Sequence, residues 1–362
     1  EVAGCIAAVK AHGKLPLRMV FRPAIRFAKL GFPVGKHLAR YLGKYETAIL
    51  KNDSIRKDFA PRGALLKEGE IVKRPRLARA LETIAKKGIE GFYSGWVAED
   101  IVATAKQHGG ILSLDDLKTY QIKKRPAIKA ELLGYEAYLM PPPSSGGIAL
   151  VQSIKLLATY KLKELGHNAS AYLHIVAEVL KHVFADRARY LGDTDFVNVP
   201  TERLLSKQTL DSYRLKIGEK TRAIAQYGTA ATPKAHVTDH GTTHLSAIDK
   251  EGLAVAITSS VNYPFGALIA GEKSGIILNN TMNDFSVKPG KANAFGLIQG
   301  EANAIAPGKR PLSSMSPSIL TKNGKVEMIV GGSGGQSFLL RSEEHTSELQ
   351  SHSDLVCRLL LE

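Results

Sequence analysis

Two hydroxyl residues, Thr242 and Ser260, are placed where they could do chemistry together. Thr242–Ile248 alternates or is β-branched, Asp249–Gly252 is a turn signal, and Leu253–Ser260 reads as a second strand. Asp at the first turn position and Gly at the fourth fit a type I turn followed by a left-handed glycine bulge. Asp249 then pairs with Leu253, and that register carries Thr242 opposite Ser260. A threonine hydroxyl is a weak nucleophile at neutral pH. Its own α-amine can activate it, but only if the threonine is the first residue of a chain. Cleavage of the Gly241–Thr242 bond would create that state. Gly241 leaves the bond uncrowded, and Ile217–Gly241 has no periodicity and reads as an exposed, mobile connection. The plainer alternative makes Thr242 and Thr243 ordinary β-branched strand residues, and the hairpin alone favours it.

Other constellations carry less. His236, His240 and His244 recur every four residues with Asp239 among them, a helical spacing for metal ligands. Gly241 and the β-branched Val237, Thr238, Thr242 and Thr243 argue against a helix there, so no metal or other cofactor is expected. Gly331–Gly335 follows an apolar strand and could cradle phosphate, but it lacks the Lys and Ser/Thr of a phosphate loop. Asp186 and Asp193 could serve as acid and base, yet they read better as ion-pair partners of Arg187 and Arg189.

The elements that must position these groups change character along the chain. The first two-thirds reads as helices. One begins near Pro75 and stops at Gly88, with Leu77, Leu81, Ile84 and Ala85 on one face; another covers Trp96–Gln107. The clearest runs from Ser170, as N-cap, to Leu191, with Gly192 as the stop and Leu173, Val176, Ala177, Leu180, Phe184, Ala188 and Leu191 facing the core. Met140–Ile148 carries three prolines and two glycines and reads as irregular. Further strands fit Ser274–Leu278, Ser318–Leu320 and Val326–Val330. Helices followed by packed strands imply a layered mixed α/β architecture.

With 44% hydrophobic and 23% charged residues, the composition is that of a globular protein able to bury a sizeable core. No run approaches 18 apolar residues, so no transmembrane helix is expected. No signal peptide is visible in Glu1–Leu15. Arg341–Ser351 (RSEEHTSELQS) resembles, codon by codon, a translated sequencing adapter, and Arg341–Glu362 is set aside as an artefact. That removes Cys357 and leaves Cys5 without an internal disulfide partner. The net charge rises from +15 to +18. The Lys and Arg residues are scattered without aromatic interleaving, so a solvated basic surface is expected rather than nucleic-acid binding.

The motifs around Thr242 carry a resemblance. Thr242–Ser246, Asn262–Gly266, Gly271-Glu272, Gly275–Asn280, Asp284-Phe285, Lys309–Pro317 and Gly334-Gly335 resemble the small subunit of gamma-glutamyltranspeptidases. Gly91–Gly95, Met140–Ile148 and Phe184–Asp193 resemble the large subunit. The resemblance covers essentially residues 1–340. It implies an α+β fold, the four-layer αββα sandwich of N-terminal-nucleophile hydrolases. It implies a precursor cut before Thr242 into a large-subunit part, residues 1–241, and a small-subunit part, residues 242–340, that stay together as a heterodimer. Thr242 would form a γ-glutamyl ester, resolved by water or by an amino-acid or peptide acceptor, with glutathione as the expected donor. A relative acting on another acyl group, such as a cephalosporin, glutaryl amide or polyglutamate, stays open. So does an uncleaved binding protein of the same fold.

Residue by residue, the resemblance makes Ser260 the hydroxyl partner of the nucleophile. Asn262, Thr281 and Asp284 fall at the donor's α-amino end, and Ser313 and Ser314 at its α-carboxylate. Gly334 and Gly335 would supply the backbone N–H groups of an oxyanion hole. Thr281 stands where the family commonly has Gln or Glu, and Phe295 where members with a lid loop often have Tyr. The resemblance also implies that the chain starts downstream of an arginine that grips the α-carboxylate and stops before the small subunit would finish. Family members are periplasmic, extracellular or membrane-anchored.

Overall fold

The computed structural model describes residues 1–227, 242–291 and 299–332. They form two compact units, one of Glu1–Lys124 with Val261–Asn280, the other of Arg125–Ser260 with the residues from Thr281 onward. The expected subunit boundary at 241/242 is a matter of covalent processing, and these units are defined by packing.

In the first unit, α1 (Leu17–Leu30) packs on α2 (Pro75–Lys87), followed by α3 (Gly95–Gln107). Pro75 sits at the first position of α2, where its missing N–H costs nothing, and Gly88 ends it with φ +65°. Val34, Leu42, Ile49, Ile55, Phe59 and Val72 form a buried cluster, with Phe265 packed against it. Burying each such large apolar side chain contributes roughly 1.5–3 kcal/mol. The strand expected at Ser274–Leu278 is absent; only an isolated bridge joins Ala270 and Ile277. Local polar bonds override its β-branched composition. The Asp100 carboxylate accepts the backbone N–H groups of Lys273 (3.0 Å) and Ser274 (2.8 Å), and Gly275 turns the chain at φ +64°.

The second unit holds a four-stranded antiparallel sheet built from β1 (Ile128–Leu132), β2 (Tyr135–Leu139), β5 (Ser318–Lys322) and β6 (Lys325–Val330), in the order β1-β2-β5-β6. The β1–β2 hairpin turns on Leu133 and Gly134, both with positive φ. On this sheet lie α4 (Gly146–Leu157) and α5 (Ser170–Tyr190). Leu132, Ala137, Leu139, Ile154, Leu157, Tyr172, Val179, Val183 and Leu320 make one buried cluster from both layers. A separate hairpin pairs β3 (Thr242–Ile248) with β4 (Ala254–Ser260). The architecture is α+β.

Four sequence expectations change here. Gly146–Ile148 opens α4 rather than continuing the irregular run, because the two glycines allow closest approach: a Cβ on Gly146 would meet Ser316 Cβ at 2.6 Å, and one on Gly147 would meet Met140 O at 2.4 Å. Ser170 lies inside α5, whose N-cap is Ala169 with no side-chain cap. Gly192 does not end α5, which stops at extended Leu191; a Cβ on Gly192 would reach 2.2 Å from Ala302 O, so its role is a close approach. The buried face of α5 is also rotated from the expected one. Ala177 is exposed, and Glu178, His182, Asp186 and Arg187 are buried beside Val179 and Val183.

Candidate active site

The hairpin that carries the nucleophile candidate folds as its turn residues dictate. Asp249 Oδ1 accepts the N–H groups of Glu251 and Leu253, both at 2.9 Å, and Gly252 takes φ +90°. The resulting register sets Thr242 opposite Ser260 and His244 opposite Thr258. The Thr242 and Ser260 hydroxyls lie 3.0 Å apart, a hydrogen bond. His244 continues the same strand face. Its Nδ1 bonds the Thr258 hydroxyl at 2.7 Å and its Nε2 the Ser246 hydroxyl at 2.9 Å. Burial pushes its pKa down, keeping the ring neutral. The ring also lies against Gly331, where a Cβ would come within 1.8 Å of it. Only glycine fits there.

A second cluster is built where the Pro-rich run meets the segment before β5. Ser313 N–H donates to Pro143 O (2.7 Å) and Ser145 N–H to Ser313 O (2.9 Å), a short parallel bridge that fixes both serine pairs. Ser145 Oγ lies 3.4 Å from Ser314 Oγ. Into this cluster α5 inserts Arg187, 3% exposed. Its Nε donates to Ser145 Oγ and its Nη2 to Ser314 Oγ, each at 3.1 Å, while Nη1 has no hydrogen-bond partner among the described residues. Burial lowers the Arg187 pKa to about 10, so the group stays cationic at neutral pH.

Asp284 ends a 3₁₀ turn that begins at Thr281. Burial raises its carboxyl pKa to about 6, against a smaller downward pull from Arg187. Its backbone carbonyl is held by two amides, Asn303 Nδ2 at 2.7 Å and Gln299 Nε2 at 3.3 Å. Asn262, in the first unit, adopts φ +75° and donates from Nδ2 to Asn280 O at 3.0 Å, while Asn280 Oδ1 accepts Tyr263 N–H. The structure thus joins Thr242 with Ser260, and Ser314 with Arg187, whose charge reaches Asp284, while Ser313 is held beside them by its backbone bonds to Pro143 and Ser145. Gly334, Gly335, Phe295, His236, His240 and Gly241 lie outside the described residues. No group of three potential metal ligands occurs among the described residues.

Sequence reasoning missed Arg187, Ser145, Gln299 and Asn303. It read Arg187 and Arg189 as ion-pair partners of Asp186 and Asp193. Instead Asp193 pairs with Arg125 at 2.9 Å, and Asp186 accepts from Gln152 and Tyr213. One signal for Arg187 was present: it stands three residues after Phe184 and seven after Leu180, on the apolar stripe, where a surface cation would not be placed.

The gamma-glutamyltranspeptidase family model matches residues 1–340. The glutathione hydrolase proenzyme of Escherichia coli is 40% identical, the alignment covering 93% of this chain and 58% of that one. Glutathione hydrolase 2 of Arabidopsis thaliana is also 40% identical, over 94% and 59%. The chain therefore spans rather less than two-thirds the length of these relatives. Among solved structures, gamma-glutamyltranspeptidase from Helicobacter pylori superposes with a TM-score of 0.60 at 34% identity, covering 62% of this chain and 65% of that one. A cephalosporin acylase from Bacillus halodurans reaches 0.73 at 26% identity, covering 90% and 57%. The family model and these relatives establish that the chain belongs to the gamma-glutamyltranspeptidase family.

Proposed function

We propose that this protein cuts itself between Gly241 and Thr242 and then transfers or hydrolyses γ-glutamyl groups, with glutathione as donor. The observation that carries the reading is the 3.0 Å contact between the Thr242 and Ser260 hydroxyls at the first residue of β3. Once cut, the Thr242 α-amine takes the hydroxyl proton as Oγ attacks the donor's γ-carbonyl carbon. The resulting oxyanion is stabilised by the backbone N–H groups of Gly334 and Gly335, a donor of this kind being worth roughly 3 kcal/mol. Collapse expels the leaving amine, which takes the proton back from the ammonium, and leaves a γ-glutamyl ester on Thr242. Water or an amino-acid or peptide amine then resolves the ester. Ser260 holds the Thr242 hydroxyl in line.

In this reading Thr281 and Asp284 receive the donor's α-ammonium, with Asp284 ionised. Ser313 and Ser314 bind its α-carboxylate, and Arg187 makes their surroundings positive. The two fragments, residues up to 241 and from 242, remain associated, and the protein works outside the cytoplasm.

A second reading, an acylase for glutaryl or related acyl groups, is favoured by Thr281, a shorter side chain than the Gln or Glu that the family resemblance implies there, and by the likeness to the cephalosporin acylase. Competition decides between them. The full-length protein is given equal concentrations of glutathione and a glutaryl amide. Preferential consumption of glutathione supports γ-glutamyl transfer; preference for the glutaryl amide replaces it with the acylase reading.

A further inference from the structure

We propose that Asn303 is the positioning residue that holds the two halves of donor recognition at a fixed separation, the α-amino half around Asp284 and the α-carboxylate half at Ser313–Ser314. The inference rests on the γ-glutamyl reading above. Asn303 is 1% exposed and lies in the turn Glu301–Asn303, outside every sequence motif assigned a role. Its amide faces both halves at once. Nδ2 donates to Asp284 O at 2.7 Å, and Oδ1 accepts the Leu312 N–H at 2.9 Å, one residue before Ser313. The amide orientation follows from its neighbours, since a carbonyl can only accept and a backbone N–H can only donate.

The contacts around Asn303 reinforce this placement. Its Nδ2 also bonds Gln299 Oε1, and Gln299 Nε2 bonds the same Asp284 carbonyl. Its backbone O accepts Ser286 N–H at 2.9 Å. The turn is docked on α5 through Gly300 N–H to Ala188 O at 2.8 Å, one residue from Arg187. A single planar group carrying donor and acceptor at this reach is what the site needs. Aspartate would keep the acceptor for Leu312 and lose the donor, setting a carboxylate oxygen against the Asp284 carbonyl oxygen. The carboxylate half would stay anchored while the α-amino half came loose.

That asymmetry makes the inference testable. The full-length Asn303→Asp protein is assayed with γ-glutamyl-p-nitroanilide and with glutaryl-p-nitroanilide, which lacks the α-amine. We expect the γ-glutamyl KM to rise tenfold or more, kcat to change less than threefold, and the glutaryl KM to stay within twofold. The preference for the γ-glutamyl donor would then fall about tenfold. A purely structural role would instead affect both donors alike. Gln299→Met serves if Asn303→Asp does not fold. It removes the second amide from Asp284 O, and the γ-glutamyl KM should rise selectively by about threefold. Equal loss on both donors, or an unchanged γ-glutamyl KM in a folded variant, overturns the inference. Wild-type protein that is never cut before Thr242, or that shows no preference for the γ-glutamyl donor, refutes the proposed function instead.

Discussion

The acid limb of donor turnover should bend twice. In the free enzyme kcat/KM follows the groups that must be in one protonation state. The first is the Thr242 α-amine, which must be neutral and has a reference pKa of about 7.7–8.0. The second is Asp284, which must be ionised to receive an ammonium and is raised to about 6 by burial. A plot of log kcat/KM against pH should therefore fall with a slope near one between about 8 and about 6, and steepen to a slope near two below it. At pH 5 the rate should lie about tenfold below what the amine alone would give. Arg187 pulls the Asp284 pKa downward, so Arg187→Gln should move the lower bend to higher pH. Asp284→Asn should lose the lower bend altogether and bind donor weakly at every pH. Initial rates with a chromogenic γ-glutamyl anilide from pH 5 to 9 measure all three profiles. A slope that stays near one down to pH 5, or a lower bend that persists in Asp284→Asn, would refute the assignment of Asp284.

Arg187→Gln also removes two charge-assisted hydrogen bonds, to Ser145 and Ser314. At about 1.5–3 kcal/mol each, losing the one that reaches the donor-binding serine should raise the donor KM roughly 10- to 100-fold. Steady-state kinetics on folded, cut protein read this directly. Gly331→Ala drives a Cβ into the His244 ring, two residues along β3 from Thr242, so kcat should drop. Adding His244→Ala should recover most of that loss. A double variant no better than Gly331→Ala would mean that the clash with His244 is not the cause of the loss.

The hairpin was the most legible part of the fold, because its register follows from one turn. Asp249 and Gly252 fix the turn chemistry, and pairing Asp249 with Leu253 leaves Thr242 opposite Ser260. The ends of α2 were legible for the same reason: Pro75 and Gly88 act locally. The strands β1 and β2 were not, since their short runs mix Lys and Glu with apolar residues and owe their pairing to β5 and to α4 behind them. Arg187 was misread because a sequence shows its charge but not the burial that turns it from a surface ion-pair partner into a donor for Ser145 and Ser314. Asn303 was invisible because its importance lies in bonds to Asp284 and Leu312, which spacing along the chain cannot reveal. Asp284 shows the same limit in energetic form, as its raised pKa comes from burial.

The proposed self-cleavage makes Thr242 a chain terminus. Full-length protein, purified and incubated, should give two fragments by intact mass, the smaller beginning at Thr242, and Thr242→Ala should remain whole. A folded wild-type protein that stays a single uncut chain would contradict the account and leave this family member a binding protein rather than an enzyme.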